Sequence, residues 1–466
     1  MRSKLIGTKA FYRMVFAVAV PVIIQNGLTN FVSLLDNIMV GRVGTEQMSG
    51  AAIANQLLFV FNLCVFGGLA GVGIFTAQFF GKGDQAGVRS TFRAKIWIAT
   101  GLLLIALVLF LTLDTQLIQL YLNEDTENAL ATLKYGKSYL RIMILGMIPF
   151  SLSQCYGSTL RETGETVLPM KASVVAIFVN LIGNYILIFG HLGLPAMGVN
   201  GAAVATVVSR FAELGILVIS AHRKKEKYPF LLGLYHSLKV PASLVRHVAV
   251  KGFPLLMNEL LWAAGVATIS QSYSMRGLDV VAAQNIASTV NNLFNVVFIA
   301  LGSSISIIVG QRLGAGEIEE AKQYDTWLTV FNVLSCLVMG GLLAVAAPFL
   351  PLIYNTSDGI RELATKFIWI SAGIMPFSAY VHCVYFTLRT GGKTVITFIL
   401  DGVYIWALVI PLAFSLGHFT NLPIIPMFLC VQGMEIVKCV FGAILMKKSN
   451  WATNMVANEP QEELTE

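Results

Sequence analysis

Five polar side chains lie inside long apolar segments of this chain, and their types could bind a proton or a metal cation. Asp36, Glu259 and Asp401 are acidic, and Asn180 and Asn184 are amides four residues apart. An ionised Asp at the centre of a membrane helix costs about 2.5–3.5 kcal/mol on insertion scales. Side chains of this kind within apolar segments are therefore functional candidates by default.

Asp36 and the two asparagines predict one site. Residues four apart on a helix share a face, so Asn180 and Asn184 can direct their amides at one point. An amide can donate to a carboxylate or bind an ion through its oxygen. We expect Asp36, Asn180 and Asn184 to hold a proton or Na⁺. The alternative is that the asparagines join helices by hydrogen bonds and that Asp36 marks a helix end.

Glu259 and Asp401 predict a second, acidic site for the substrate or the coupling ion. Glu259 follows Pro254 by five residues, and a proline removes a backbone hydrogen bond and allows a kink that opens space beside the acid. Asp401 could instead cap its helix or pair with Arg389 or Lys393. Both interpretations of Asp401 stay open at the level of sequence.

Two pairs of opposite charge stand three residues apart in apolar segments, Arg210 with Glu213 and Glu435 with Lys438. Residues at this spacing can pair within one helix. Because the two pairs occupy equivalent places in the sixth and twelfth apolar segments, we interpret them as architectural.

The composition places these residues in a membrane protein. Of 466 residues, 56% are hydrophobic and only 12% are charged, too few charges to cover a soluble protein of this size. The net charge of +7 comes from short basic clusters between apolar segments, which is typical of membrane orientation rather than nucleic-acid binding. No P-loop, nucleophile–base motif or metal-spaced His or Cys cluster is present. We therefore expect neither an enzyme nor a cofactor.

Twelve segments are long enough to span a bilayer, which takes about 20 apolar residues. They lie near residues 14–37, 50–73, 95–115, 138–156, 168–190, 200–220, 249–270, 282–308, 326–350, 366–386, 394–415 and 424–446. Short alternating segments typical of a transmembrane barrel are missing. Lys and Arg gather at the N-terminus, between the second and third segments, in the centre and after the last segment. The positive-inside rule then predicts a multi-pass cell-membrane protein with both termini in the cytoplasm.

The chain also contains an internal repeat. A shift of 233 residues places Gly81-Lys82-Gly83 on Gly314-Ala315-Gly316, and a shift of 228 places Leu160-Arg161 on Leu388-Arg389. Two halves of six spans each run in the same direction, so a pseudo-twofold axis along the membrane normal should relate them. We expect an all-α fold with lobes at 1–220 and 249–448, a basic cytoplasmic connecting segment at 221–248 and a cytoplasmic tail at 449–466. The acidic end of the tail, Asn458–Glu466, is expected to be disordered.

Together these features resemble the multidrug and toxic compound extrusion (MATE) family. The resemblance covers the chain from Phe11 to Met446. It rests on Pro21, Asp36, the segment Ala77–Asp84, the paired Leu-Arg-x-x-Gly-x-Thr loops, Asn180, Asn184 and Glu259.

The resemblance implies two six-helix lobes that export cationic and amphipathic compounds in exchange for Na⁺ or H⁺. It also implies that Asp36, Asn180, Asn184 and Glu259 are functional positions. One branch of the family has Asp at the position of Asn184, and another has an acid at the position of Ala379. We expect Asp401 to replace the acid that is missing at Ala379.

The predicted function is secondary antiport of an organic cation. The alternative is a lipid-linked precursor flippase of the same superfamily, whose cavity often needs to be cationic, whereas this chain has acids in its spans. A channel should show filter-like loops, and a membrane enzyme should show a catalytic constellation. The expected partners are a small organic cation and membrane lipid, without nucleic acid, and the chain is expected to act as a monomer.

Overall fold

The computed structural model describes residues 5–122, 127–354 and 356–457, and these residues form helices and connecting turns without any strand. The predicted disordered end, Asn458–Glu466, lies outside the described residues. The helices of the described part are α1 (Lys9–Gly41), α2 (Thr45–Lys82), α3 (Gln85–Thr112), α4 (Asp114–Gln119), α5 (Glu127–Glu162), α6 (Val167–Phe189), α7 (Val199–Arg223), α8 (Ala242–Ser274), α9 (Leu278–Gly314), α10 (Ile318–Ala346), α11 (Asp358–Thr390), α12 (Thr394–Phe398), α13 (Ile410–Phe419) and α14 (Ile424–Lys448).

Nine of the twelve predicted spans fall within one long helix or, for 394–415, within the continuous helical segment Thr394–Phe419. The other three, 95–115, 168–190 and 326–350, run past the ends of α3, α6 and α10, which end at Thr112, Phe189 and Ala346. Eleven of these helices in the described residues are long and apolar enough to cross a membrane. The twelfth is α5, which is 36 residues long and includes the predicted span 138–156 together with Arg141. The prediction of an all-helical polytopic fold is confirmed.

Contacts divide the described residues into two compact units. The N unit consists of 24–76 and 85–247, and the C unit of 5–23, 77–84 and 248–457. The predicted lobes, 1–220 and 249–448, differ from these units at the start of α1, at the end of α2, in the connecting segment and after α14.

The first part of α1 belongs to the C unit because its apolar side chains pack there. Phe11 and Val15 are buried in one cluster with Leu301 and Ile305 of α9. The ring of Phe11 also meets the ring of Trp327 edge-on, with 5.0 Å between the centroids. The apolar face of this stretch is therefore covered by the C unit.

The segment after α14 also packs into the C unit. Trp451 and Val456 are buried. Thr453 Oγ1 donates to the carbonyl of Gly391 at 2.6 Å, and the backbone N–H of Met455 donates to Gln78 Oε1 at 2.8 Å. Residues 451–456 thus form part of the folded unit instead of extending from it as a tail.

The connecting segment between α7 and α8 packs onto the N unit. Tyr228, Phe230, Leu231 and Leu234 are buried there. Lys227 and Tyr228 donate hydrogen bonds to the carboxylate of Glu165, which lies between α5 and α6. Burial raises the pKa of Glu165, but the hydrogen bonds from Lys227 and Tyr228 outweigh that effect and hold the pKa below its usual value. The segment is basic, as predicted, and it is fixed in place by side chains of the N unit.

The internal repeat is visible in the turns that end the helices. Gly83 and Gly316 both have a left-handed backbone, with φ of 80° and 82°. The turns are closed by matching hydrogen bonds, from Asp84 N to Phe79 O and from Glu317 N to Arg312 O, both at 3.0 Å. Glycine adopts this backbone conformation without the strain that a side chain would add. The sequence match at a shift of 233 residues therefore corresponds to the same helix-ending turn in both halves.

Candidate functional site

In the N unit, α1 and α6 bring Asp36 next to the two asparagines. Asn184 Nδ2 donates to Asp36 Oδ1 at 2.7 Å and lies 3.3 Å from Asn180 Oδ1. Asn180 and Asn184 are buried, and Asn180 contacts Thr206 Oγ1 of α7 at 3.1 Å. The three residues thus form one cluster, in which the two asparagines share a face of α6 and Asp36 comes from α1.

The side-chain amide of Asn180 makes more favourable hydrogen bonds when its oxygen and nitrogen are exchanged. With its oxygen and nitrogen exchanged, the nitrogen donates to Asp36 Oδ2 at 3.1 Å and the oxygen accepts from Thr206 Oγ1 at 3.1 Å. Each oxygen of Asp36 then has an amide donor. Asn184 Oδ1 is buried and has no hydrogen-bond partner in the described part of the chain, so an acceptor remains free beside the carboxylate.

This arrangement has the chemistry to hold a small cation or a proton. None of the described residues forms an ion pair with Asp36, and a carboxylate at membrane depth needs a compensating positive charge. Carboxylate and amide oxygens can supply ligands to a metal cation, or they can accept from a protonated carboxyl group. The described residues contain no group of three or more His, Cys, Asp or Glu side chains that could bind a metal.

In the C unit, Glu259 of α8 lies beside α11. The hydroxyl of Tyr385 donates to Glu259 Oε1 at 3.3 Å. Arg389 is close enough to act on Glu259 electrostatically, but neither it nor any other described residue forms an ion pair with this carboxylate. Helix α8 continues through Pro254 from Ala242 to Ser274. Glu259 therefore has one long hydrogen bond and no direct counter-charge.

Asp401 has a different environment from the other two acids. Lys438 Nζ of α14 donates to Asp401 Oδ1 at 2.6 Å, and Asn258 Nδ2 of α8 donates to Oδ2 at 3.0 Å. Asn258 Oδ1 in turn accepts from the backbone N–H of Gly402 at 2.9 Å. The alternative in which Asp401 pairs with Arg389 or Lys393 is not what the structure shows, because the charge partner of Asp401 is Lys438.

The helix that carries Asp401 is locally widened. Between α12 and α13 the chain makes two π-helical turns, Ile399–Val403 and Ile405–Val409. Pro411 follows them, and a proline cannot supply the backbone N–H that the preceding turn needs. Wider turns of this type are rare and occur often at functional sites. Pro411 is a sequence signal that accompanies this feature.

The two predicted architectural pairs are only partly formed. Arg210 Nη1 donates to the carbonyl of Gly146 at 3.2 Å and its guanidinium lies over the ring of Phe150. Glu213 accepts from Ser173 Oγ at 2.5 Å. In the other pair, Lys438 lies 4.0 Å from Glu435 but only 2.6 Å from Asp401. The charges thus contact other helices more closely than they contact each other.

These contacts reveal a repeat-related network that the sequence comparison did not show. In the N unit, Gln25 Nε2 donates to Ser173 Oγ at 2.7 Å, and Ser173 bonds Glu213. In the C unit, the residues at the matching places are Asn258, Asp401 and Glu435. Asn258 and Asp401 are hydrogen-bonded as Gln25 and Ser173 are, but the third helix of the C unit is joined through Lys438 rather than through Glu435.

The sequence analysis does not identify Asp325, a further buried carboxylate of the C unit, as a candidate. Asp325 of α10 is 5% exposed, and the hydroxyl of Thr387 in α11 donates to its Oδ1. It stands one residue before the predicted span 326–350, whereas α10 begins at Ile318. Placing the start of the span too late made Asp325 look like a loop residue.

Comparisons with known proteins agree with this fold. The family model MatE matches residues 21–186 and 254–415. The "Probable multidrug resistance protein NorM" of Thermotoga maritima is 25% identical over 442 residues, which are 94% of this chain and 92% of that protein. The "Probable multidrug resistance protein YoeA" of Bacillus subtilis is 24% identical over 422 residues, 87% of each chain.

A solved structure shows the same architecture. It is described as the outward-facing conformation of a multidrug resistance MATE family transporter, and it superposes with a TM-score of 0.84 at 16% sequence identity. The superposition covers 95% of this chain and 97% of that one, which shows a shared fold. The two segments matched by the family model correspond to the two halves of the repeat. The chain is thus a multi-pass membrane protein that belongs to the MATE family of multidrug efflux transporters.

Proposed function

We propose that this chain is a secondary antiporter, which exports cationic or amphipathic organic compounds in exchange for H⁺ or Na⁺ by alternating access. The observation that carries the proposal is the presence in each unit of a functional candidate, Asp36 or Glu259, that no described residue pairs with a positive charge. Each acid can therefore take an exchangeable cation or proton.

The two acids would have separate roles. Asp36 with Asn180 and Asn184 offers oxygen atoms to a coupling ion, and Glu259 beside Tyr385 offers a negative charge and an aromatic ring to an organic cation. Asp401 is already neutralised by Lys438, so it would shape the site of Glu259 without binding the substrate directly. This role replaces our expectation that Asp401 substitutes for an acid at Ala379.

Coupling between the ion and the substrate requires that each of them binds one conformation more tightly than the other. Moving a two-state equilibrium from 1:99 to 99:1 takes about 5.5 kcal/mol of differential binding. A carboxylate whose counter-charge arrives and leaves during the cycle can contribute a large part of this energy, whereas a permanently paired carboxylate cannot.

The orientation and partners follow from the same proposal. Both termini would face the cytoplasm, because the basic residues of the sequence lie on that side under the positive-inside rule. The substrate would be a small organic cation, and the chain would act as a monomer in the cell membrane. The lobes at 1–220 and 249–448 would form the two halves of the transporter, and the segment 221–248 would join them on the cytoplasmic side.

The test is efflux of ethidium from energised cells that lack their own drug pumps and express the protein. The variants are Asp36→Asn and Glu259→Gln, which remove a charge and keep the shape of the side chain. The matched control is Asp358→Asn, since the side chain of Asp358 is 97% exposed. We expect both site variants to reduce efflux at least tenfold at equal expression, and the control to match the wild type.

The proposal would be contradicted if cells with the wild-type protein retained as much ethidium as cells without it. It would also be contradicted if the site variants exported ethidium as fast as the control variant.

A further inference from the structure

Asp325 is an acidic group that the proposed exchange at Asp36 and Glu259 does not use. It lies in α10 and is 5% exposed. Its one hydrogen bond among the described residues is donated by the hydroxyl of Thr387 from α11. No described residue forms an ion pair with it. A carboxylate in this position is unusual, because buried acidic groups are normally paired.

In the part of the chain that the structure describes, the elements packed around Asp325 supply no ion-pair partner to it. The titratable groups that face it are Cys383 and Tyr380, both on α11. Helix α9 contributes apolar side chains to the surrounding cluster, including Leu301 and Ile305. The site is therefore apolar apart from hydroxyl and thiol groups.

Asn332 and Lys322 of α10 and Arg312 of α9 have other partners. The amide of Asn332 donates to the carbonyl of Phe298 at 3.3 Å and to Cys383 Sγ at 3.2 Å. Arg312 pairs with Glu317 at 2.5 Å, and Lys322 pairs with Glu319 at 2.7 Å. Among the described residues, Asp325 therefore has no ion-pair partner.

A positive charge must therefore come from outside the protein whenever Asp325 is ionised and buried. A metal cation needs several oxygen ligands, whereas a single hydroxyl contacts Asp325. A proton needs none, because it bonds to one carboxyl oxygen directly. The geometry thus favours a proton over Na⁺ at this place.

We propose that Asp325 is a proton-binding site of the transport cycle, which takes up a proton in one conformation of the transporter and releases it in another. This inference rests on the proposed antiport function and adds to it the identity of one coupling ion. Thr387 is a positioning residue, since its hydroxyl orients the carboxyl group and stabilises the ionised form after the proton has left.

The test measures protons released when substrate binds to the purified transporter. The protein is kept in detergent in weakly buffered solution with a pH-sensitive dye, and tetraphenylphosphonium is added to saturation. Asp325→Asn is compared with the wild type and with Asp358→Asn, an exposed acid of α11. We expect Asp325→Asn to release about one proton fewer per transporter and to bind tetraphenylphosphonium within about threefold of the wild type. The control should release as many protons as the wild type.

Variants of Thr387 keep the test decisive if Asp325→Asn fails to fold. Thr387→Val removes the hydroxyl, and Thr387→Ser keeps it. We expect the valine variant to move the pH midpoint of proton release by about half a unit or more, the size expected for one lost hydrogen bond. The serine variant should keep the wild-type pH midpoint because it keeps the hydroxyl group. If Thr387 had only a structural role, the midpoint would not depend on the hydroxyl group in this way.

The outcomes separate this inference from the antiport proposal. Equal proton release by Asp325→Asn and the wild type would overturn the role of Asp325. So would efflux that a Na⁺ gradient drives without any substrate-evoked proton release, although antiport itself would then stand. If neither an H⁺ nor a Na⁺ gradient drives efflux by the wild type, both proposals fail.

Discussion

At the scale of single residues, three acids of the C unit, Asp401, Glu259 and Asp325, have two kinds of environment. Asp401 is bonded by Lys438 and Asn258, whereas Glu259 and Asp325 each accept one hydrogen bond from a hydroxyl group. Sequence could find Glu259 and Asp401 because acids are rare in apolar segments. It could not sort them, because the charge partner of Asp401 comes from a different helix. The environment of each acid is a product of tertiary packing.

The ion pair between Asp401 and Lys438 gives a prediction at this scale. Lys438→Met keeps the length of the side chain but leaves Asp401 without its counter-charge, and breaking a buried pair costs about 3–5 kcal/mol. The double variant Asp401→Asn with Lys438→Met removes both charges and should recover most of the lost stability. Thermal unfolding of the detergent-solubilised protein, followed by tryptophan fluorescence, measures both effects.

The matched control for this experiment is Lys366→Met, because Lys366 pairs with Glu362 at the surface of α11. An exposed pair of this spacing is worth only about 0.3–0.5 kcal/mol. A double variant that is no more stable than Lys438→Met alone would show that the two residues do not act as a pair.

At the scale of elements, the turns and the long helices were predictable and the packing was not. The helices follow from apolar length, and the helix-ending turns at Gly83 and Gly316 follow from the repeat. The sequence does not show which element packs against each helix, because a helix that is apolar all round has no distinct buried face. For the same reason no pattern in the sequence indicates that Phe11 packs against α9, or that residues 451–456 pack into the C unit.

The close approach of α2 and α9 in the C unit gives the prediction at this scale. A Cβ atom on Gly314 would lie 1.9 Å from the carbonyl oxygen of Gln78, a backbone atom that cannot rotate away. A Cβ atom on Gly341 in α10 would meet nothing within 4 Å. We expect Gly314→Ala to lower the melting temperature by several degrees, and Gly341→Ala to leave it unchanged or raise it, since Ala is favoured over Gly in a helix by about 1 kcal/mol.

Circular dichroism during heating would measure both glycine variants in the same detergent. Equal melting temperatures for Gly314→Ala and Gly341→Ala would contradict the close backbone contact between α2 and α9.

At the scale of the whole molecule, the repeat predicted two halves, but the contacts place the boundaries elsewhere. Helices α1 and α2 each contribute residues to both units. At 1.5 Å per residue, a helix of 33 residues is about 50 Å long, well beyond the roughly 30 Å of a bilayer core. A helix of that length has enough surface to pack in two places. Hydropathy detects the span and cannot show such a division.

The central claim is that Asp36 and Glu259 exchange cations to drive efflux, and transport by the purified protein in sealed liposomes tests it most directly. Ethidium flux would be recorded under an H⁺ gradient alone and under a Na⁺ gradient alone, with the wild type, Asp36→Asn, Glu259→Gln and Asp358→Asn reconstituted at equal density. We predict that at least one gradient drives flux by the wild type and by Asp358→Asn, and that both site variants lose the gradient-driven flux. Gradient-driven flux that survives in Asp36→Asn and Glu259→Gln would contradict the account.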